Sequence, residues 1–219
     1  MKPSFPASRI AALFILSLNW QISRAEDFLI SLQAVETRDE SVAAEYRKDS
    51  GLSVSLAAGA KGMPGASVVP EGEVFPDFSR FSRIEAVVRN TGPEQVPVSL
   101  RVDNPGHWKD APWNTESIRL QPGETGTLAV FFGYANGGQK SFPLDPAKIV
   151  QLLFFAPGAE KERSFVVESV KVTGTAGEDP AALKNSGARK PEGGILFGKG
   201  REVKSTRQLS AMNHAKANL

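Results

Sequence analysis

Two tryptophans, a histidine and four short carboxylate or amide side chains fall within twelve residues of this chain, Asp103 to Asn114 (DNPGHWKDAPWN). An exposed indole is a flat apolar plate. Beside Trp108 and Trp113, the polar groups of Asp103, Asn104, His107, Asp110 and Asn114 can bond hydroxyls. That pairing suits a ligand with apolar C–H faces and a hydroxyl rim, which describes a sugar. The competing reading is packing, with Pro105, Pro112 and the indoles closing the edge of a sheet, since large aromatic rings are often buried. Both indoles in one loop between strands favours a binding role, because loops carry function more often than cores do.

Other residues are weaker candidates. Tyr134-Ala135-Asn136-Gly137-Gly138-Gln139 is a second polar loop with one aromatic; it reads first as a flexible turn and second as lining the same end of the sandwich. Ser99, Arg101 and Asp103, taken with Arg83, Glu85 and Arg89, would make one polar sheet face. Such a face is either solvated surface with ion pairs or, where the sheet is concave, a groove for sugar.

Several chemistries are excluded. With no cysteine there is no disulfide, thiol nucleophile or thiolate metal site. Two histidines, His107 and His214, cannot make a multi-His metal centre. No GxSxG, HExxH, P-loop or GxGxxG signature occurs. Glycoside hydrolysis needs two carboxylates placed across one bond, and nothing local marks such a pair.

Charge separates the chain into parts. Of 26 basic and 24 acidic side chains, three basic ones lie in 1–25, and eight basic and four acidic in 176–219; residues 26–175 keep 15 basic against 20 acidic. A net acidic middle is a poor partner for nucleic acid. At the N-terminus, Lys2 and Arg9 precede the run Ile10 to Trp20, and Ser23 and Ala25 stand at −3 and −1 of a cut before Glu26. This is the order of a secretory signal peptide, and the run is too short for a spanning helix of ~20 residues. The expectation is a secreted or periplasmic chain beginning at Glu26, free of the membrane after cleavage.

The elements that must position the Trp-rich loop are strands. Val96, Val98, Leu100 and Val102 alternate with Ser99, Arg101 and Asp103, the period of a half-buried strand. Ile84, Ala86 and Val88 alternate before Asn90-Thr91-Gly92-Pro93, so 83–89 and 96–103 read as an antiparallel pair. Phe28, Ile30 and Leu32, then Leu52, Val54 and Leu56, then Leu128, Val130 and Phe132 repeat the pattern. Ile149 to Ala156 (IVQLLFFA) is nearly all apolar, as in a strand covered on both faces. The fold class is therefore all-β, a two-sheet antiparallel β-sandwich or jelly roll, over 26–175. Residues 176–219, rich in Gly, Lys, Arg, Asn and Ala, read as a linker or C-terminal tail.

The segments Phe75-Pro76-Asp77-Phe78-Ser79-Arg80-Phe81-Ser82-Arg83-Ile84, Asn90-Thr91-Gly92, Val98-Ser99-Leu100-Arg101-Val102-Asp103-Asn104-Pro105-Gly106, Asn114-Thr115-Glu116-Ser117, Leu120-Gln121-Pro122-Gly123-Glu124-Thr125-Gly126-Thr127 and Phe165 to Val172 carry a resemblance. Over Asp27 to Gly174 the chain resembles the galactose-binding-like jelly roll in front of the catalytic barrel of secreted glycoside hydrolases, above all the carbohydrate-binding-like domain of family 50-type β-agarases. The resemblance implies binding of agarose-type or other galactose-containing polysaccharide or oligosaccharide, and no catalysis. A barrel needs ~250 residues and only 45 follow Gly174. It also implies a glycoside hydrolase catalytic domain as a partner. No cofactor is required. A structural Ca²⁺ near the ends of the domain would draw on Glu26, Asp27 and Glu168, although no DxDxDG-like loop backs it.

The binding set expected is thus Trp108, Trp113, His107, Asp103, Asn104, Asn114, Tyr134 and Arg101. The competing functions are a structural or interdomain sandwich with no ligand, and an N-terminal fragment of an agarase-like hydrolase whose barrel is missing.

Overall fold

The computed structural model describes residues 26–37, 39–134, 143–178 and 180. The export signal expected in 1–25, Ala135 to Gln139 of the second loop, and nearly all of the 176–219 segment lie outside the described residues. Among the described residues eleven strands follow in order: β1 (Phe28–Leu29), β2 (Val35–Thr37), β3 (Val42–Arg47), β4 (Gly51–Leu56), β5 (Gly65–Val68), β6 (Arg83–Asn90), β7 (Val96–Asp103), β8 (Trp113–Leu120), β9 (Thr125–Phe131), β10 (Gln151–Phe155) and β11 (Arg163–Thr173). The first sheet runs β3-β4-β11-β6-β9, with β1 also paired to β11; the second runs β2-β5-β10-β7-β8. Every pairing is antiparallel. This is the two-sheet sandwich expected from the sequence.

The alternation explains the layering. Leu52, Val54 and Leu56 of β4, Ile84, Ala86 and Val88 of β6, and Phe165, Val167, Val170 and Val172 of β11 face inward from the first sheet. Val96, Val98, Leu100 and Val102 of β7, and Leu152 and Phe154 of β10, meet them from the second. Val167 and Val170 are three apart yet both inward, because a bulge between Val167 and Ser169 inserts Glu168. Gly51 sits beside that bulge at φ +86, and a Cβ there would run into the Val167 carbonyl oxygen.

The connection between β5 and β6 carries the three phenylalanines of the FPDFSRF stretch. Phe78 is 1% exposed, with Phe28, Phe75 and Phe81 around it at centroid distances of 5.5, 6.3 and 6.4 Å. The Phe75 amide donates to the Ile149 carbonyl at 2.8 Å and the Phe78 amide to the Pro146 carbonyl at 3.1 Å. This aromatic plug therefore anchors the segment leading into β10.

The expected pairing of 83–89 with 96–103 does not occur. β6 pairs with β11 and β9, while β7 pairs with β10 and β8, in the other sheet. The cause is Asn90, fully buried at the end of β6. Its Nδ2 donates to the carbonyls of Glu94 at 2.8 Å and Leu120 at 2.9 Å, and its Oδ1 accepts the Gly92 amide at 2.9 Å. The Asn-Thr-Gly-Pro turn is thus a corner that crosses between sheets. Arg83, Glu85 and Arg89 consequently lie on the outside of one sheet and Ser99, Arg101 and Asp103 on the outside of the other, not on one polar face.

Two further readings need correcting. Only Phe28 and Leu29 of the first run pair as a strand, although Ile30 and Leu32 are buried. The β10 run is not covered equally: Leu152 and Phe154 are buried, whereas Gln151, Leu153 and Phe155 are half-buried on the outer side.

Candidate functional site

The β7–β8 hairpin fixes the Trp-rich segment. Its register sets Asp103 opposite Trp113, Arg101 opposite Thr115 and Ser99 opposite Ser117, all on the outer face because Val102, Leu100 and Val98 turn inward. The loop proper is therefore only 104–112. Asp103 ends one strand, and Trp113 and Asn114 begin the next.

On that face the Arg101 guanidinium bonds the Asp103 carboxylate at 2.6 and 2.7 Å, and its central carbon lies 4.7 Å from the centre of the Trp113 ring. The Trp113 indole N–H donates to the backbone carbonyl of Trp108 at 2.6 Å. The loop folds back on itself, with the amides of Asp110 and Ala111 donating to the His107 carbonyl at 2.9 and 2.8 Å. Trp108 stands at its tip, 51% exposed. The His107 ring is 5.7 Å away and the Lys109 ammonium 5.4 Å from the indole centre.

The outer face continues across the sheet. Thr115, Arg101, Leu153, Ser67 and Glu36 stand side by side on β8, β7, β10, β5 and β2; Ser117, Ser99, Phe155 and Gly65 form the next row. Leu153 and Phe155 are the apolar centre, flanked by hydroxyls. Neither was in the expected set. The signal was present in β10: alternation within an apolar run sends every second residue outward, and an antiparallel sandwich leaves one face of each sheet uncovered by the other sheet.

The structure divides the expected binding residues. Trp108, Trp113, His107, Asp103 and Arg101 share one edge of this face. Asn104 does not present its amide to solvent: it is 5% exposed, its Nδ2 donates to the carbonyls of Asp145 at 2.9 Å and Lys148 at 2.8 Å, and its Oδ1 accepts the Asp145 amide at 2.7 Å. Asn114, opposite Val102, points inward and is buried, with Oδ1 accepting the Thr115 amide at 2.9 Å. Both are clasps of the framework. Tyr134 packs edge-on against Phe131 at 6.3 Å, and Phe131 pairs with Arg83 on the outside of the first sheet. It belongs to the same end of the sandwich but to the other sheet.

Two of the three carboxylates expected for Ca²⁺, Asp27 and Glu168, are bonded to other side chains. Asp27 accepts from Lys171 Nζ at 2.8 Å and from the Thr173 hydroxyl. The hydrogen bond from Lys171, then that from Thr173, holds its carboxyl below the usual aspartate value. Glu168, in the bulge, accepts from Arg89 at 2.8 Å. Thr173 and Glu168 are five residues apart on β11, about 16 Å of strand, so Asp27 and Glu168 do not converge. Among the described residues no group of three or more His, Cys, Asp or Glu could hold a metal ion, and no helix is long and apolar enough to cross a membrane.

No protein-family model and no curated protein sequence matches the chain. Solved structures do. An agarase, AgWH50C, superposes over 85% of this chain with a TM-score of 0.52 and 10% identity. An exo-beta-agarase does so over 84% with a TM-score of 0.52 and 12% identity. A family 11 carbohydrate-binding module from Clostridium thermocellum covers 69% of this chain and 98% of its own at a TM-score of 0.48 and 16% identity, too loose a likeness to bear on function. The chain spans 29% of the length of each agarase. The likeness is one of fold, and it agrees with the resemblance carried by the sequence: a jelly-roll β-sandwich similar to one part of agarases.

Proposed function

We propose that this chain is a non-catalytic carbohydrate-binding module that takes a polysaccharide across the outer face of the β2-β5-β10-β7-β8 sheet, with Trp108 at its edge. The observation that carries the reading is the half-exposed Trp108 beside a face whose apolar centre, Leu153 and Phe155, is bordered by the exposed Ser117 and the half-buried Thr115 and Gln151. Apolar plates for C–H faces and short polar groups for hydroxyls are what a sugar chain requires. Five strands at ~4.8 Å spacing give a width of about 20 Å, room for several sugar units. The Arg101 charge is neutralised by Asp103, which favours an uncharged polysaccharide, such as a galactan, over a sulfated one. Asp103, the carboxylate beside Trp113, is held by Arg101. The leader-like sequence supports action outside the cytoplasm, and the likeness to agarases supports association with a glycoside hydrolase.

Affinity electrophoresis through gels containing agarose, a sulfated galactan or a mixed-linkage glucan tests this. Retardation in a neutral polysaccharide, without release of reducing sugar, is expected. Free migration in every gel would leave a structural sandwich without ligand.

A further inference from the structure

The two indoles of the candidate site are not equivalent. Trp113 is half-buried, one region of its ring lies under the Arg101 guanidinium, and its N–H is spent on the Trp108 carbonyl. Arg101 is itself locked by Asp103 through two contacts of 2.6 and 2.7 Å. Trp108 is the reverse: the residue is half exposed, and its indole N–H has no hydrogen-bond partner among the described residues. We infer that Trp113 is a positioning residue, whose N–H grips the backbone of the 104–112 loop and so fixes the plane in which Trp108 meets a ligand. This rests on the binding reading above, and adds to it a division of labour.

The physical case is one of entropy. A surface loop with an exposed ring at its tip loses affinity if it must be ordered each time a ligand binds, because that ordering is subtracted from the contact energy. The loop is held at its base by Asn104, clasped to the 145–148 backbone, and by the Asn104 amide, which donates to the Pro112 carbonyl at 3.0 Å. Neither bond reaches the tip. The Trp113–Trp108 hydrogen bond does, spanning five residues, and its donor stands on a β-strand, the more rigid element. Arg101 and Asp103, on the neighbouring strand, set the ring from which that donor projects.

Trp113→Phe tests the inference, since it keeps an aromatic ring under Arg101 and removes the donor. In the full chain we expect faster amide exchange confined to peptides from 104–112, an unchanged melting temperature, and retention on the polysaccharide weakened about three- to tenfold, the range for one neutral hydrogen bond. Unchanged exchange in 104–112, or unchanged retention despite faster exchange there, overturns it. So does lost protection across both sheets with a lower melt, which would make Trp113 a core residue. Should Trp113→Phe fail to fold, Arg101→Met, which unlocks the ring from Asp103, must give the same local loss or the inference falls. If the parent chain binds no polysaccharide, the binding reading fails by itself, and the exchange of 104–112 still decides whether Trp113 holds the loop.

Discussion

The Arg83 guanidinium bonds the Glu178 carboxylate at 2.6 Å, joining residues 95 apart in the chain. The Ser82 hydroxyl donates to the same carboxylate oxygen at 2.8 Å, the Thr175 amide to the other oxygen at 3.0 Å, and the Ala176 amide to the Arg80 carbonyl at 3.1 Å. The bonded chain therefore runs past Thr175, where the alternating pattern ends. At the opposite end Asp27 is bonded to Lys171, which also meets Glu85, the partner of Arg83. One cluster on the outside of β6 and β11 ties the chain entering β1 to the chain leaving β11.

A chain ending at 178 is accordingly expected to melt above one ending at 175, and Glu178→Gln in the full chain to melt lower than its parent. The pair is only partly shielded from water, so the loss should be about 1 kcal/mol, or ~2–4 °C for a domain of this size. Equal melts for the two lengths would mean that the turn at 175–178 adds nothing to the fold.

The same cluster sets an acid limit. Burial pushes the Glu178 carboxyl up, but the Ser82 hydroxyl, the Thr175 amide and Arg83 outweigh it and hold it below its ordinary 4.5; Asp27 is held below its ordinary 3.8. Carboxyls depressed in the folded state add stability that is fully present above their unfolded values and is lost as pH falls through the folded ones. The melting temperature should be level from pH 7 to 5 on this account and fall below about pH 4. Asp27→Asn and Glu178→Gln should each make that fall shallower. An equally steep fall in the double variant would assign acid sensitivity to other groups.

How far the sequence revealed all this depends on which interactions are local. Alternation along one strand is local, so the inward residues of β4, β6, β7 and β9 were readable from Leu52 to Val130, whereas the bulge at Glu168 breaks the alternation of β11. Which strand pairs with which is not. Asn90 looks like any turn asparagine until its amide is found bonding both Glu94 and Leu120, the second contact 30 residues away. Asn104 and Asn114 misled for the same reason. Their amides suit a hydroxyl in sequence, yet they answer backbone groups at 145, 148 and 115. The exposed tip at Trp108 was legible because its neighbours are polar on both sides. Phe155 was hidden within an apolar run.

Asn104→Ala provides a check on that revised role. It would leave the Asp145 amide and the Lys148 carbonyl without this partner in a part-buried place, while the Asp145 carbonyl keeps the Lys148 amide, at a cost of about 1–2 kcal/mol in stability. Sugar retention per folded molecule should change little. A variant that keeps its melt but loses retention would return Asn104 to the binding set.

Trp108→Ala should do the opposite. The ring is exposed at a loop tip, so its removal should barely alter the melt, while retention should weaken by about 1–3 kcal/mol, tenfold to a hundredfold. A lower melt with unchanged retention would make this indole a packing residue.

The sharpest contrast lies between neighbours on β10. Leu152 faces the interior opposite Val102 and Val68; Leu153 faces outward between Arg101 and Ser67. Leu152 is fully buried and Leu153 half-buried. Leu152→Ala should therefore cost about 2–5 kcal/mol of stability through the cavity it leaves. Leu153→Ser removes apolar surface that is already partly wet, so its stability cost should be about 1 kcal/mol. If a sugar chain crosses the outer face, Leu153→Ser should also weaken retention several-fold although it lies on the strand two away from Trp113. Thermal melts and affinity gels of the two variants separate the outcomes. Full retention by Leu153→Ser would confine the ligand to the edge around Trp108 and take the centre of the sheet out of the site.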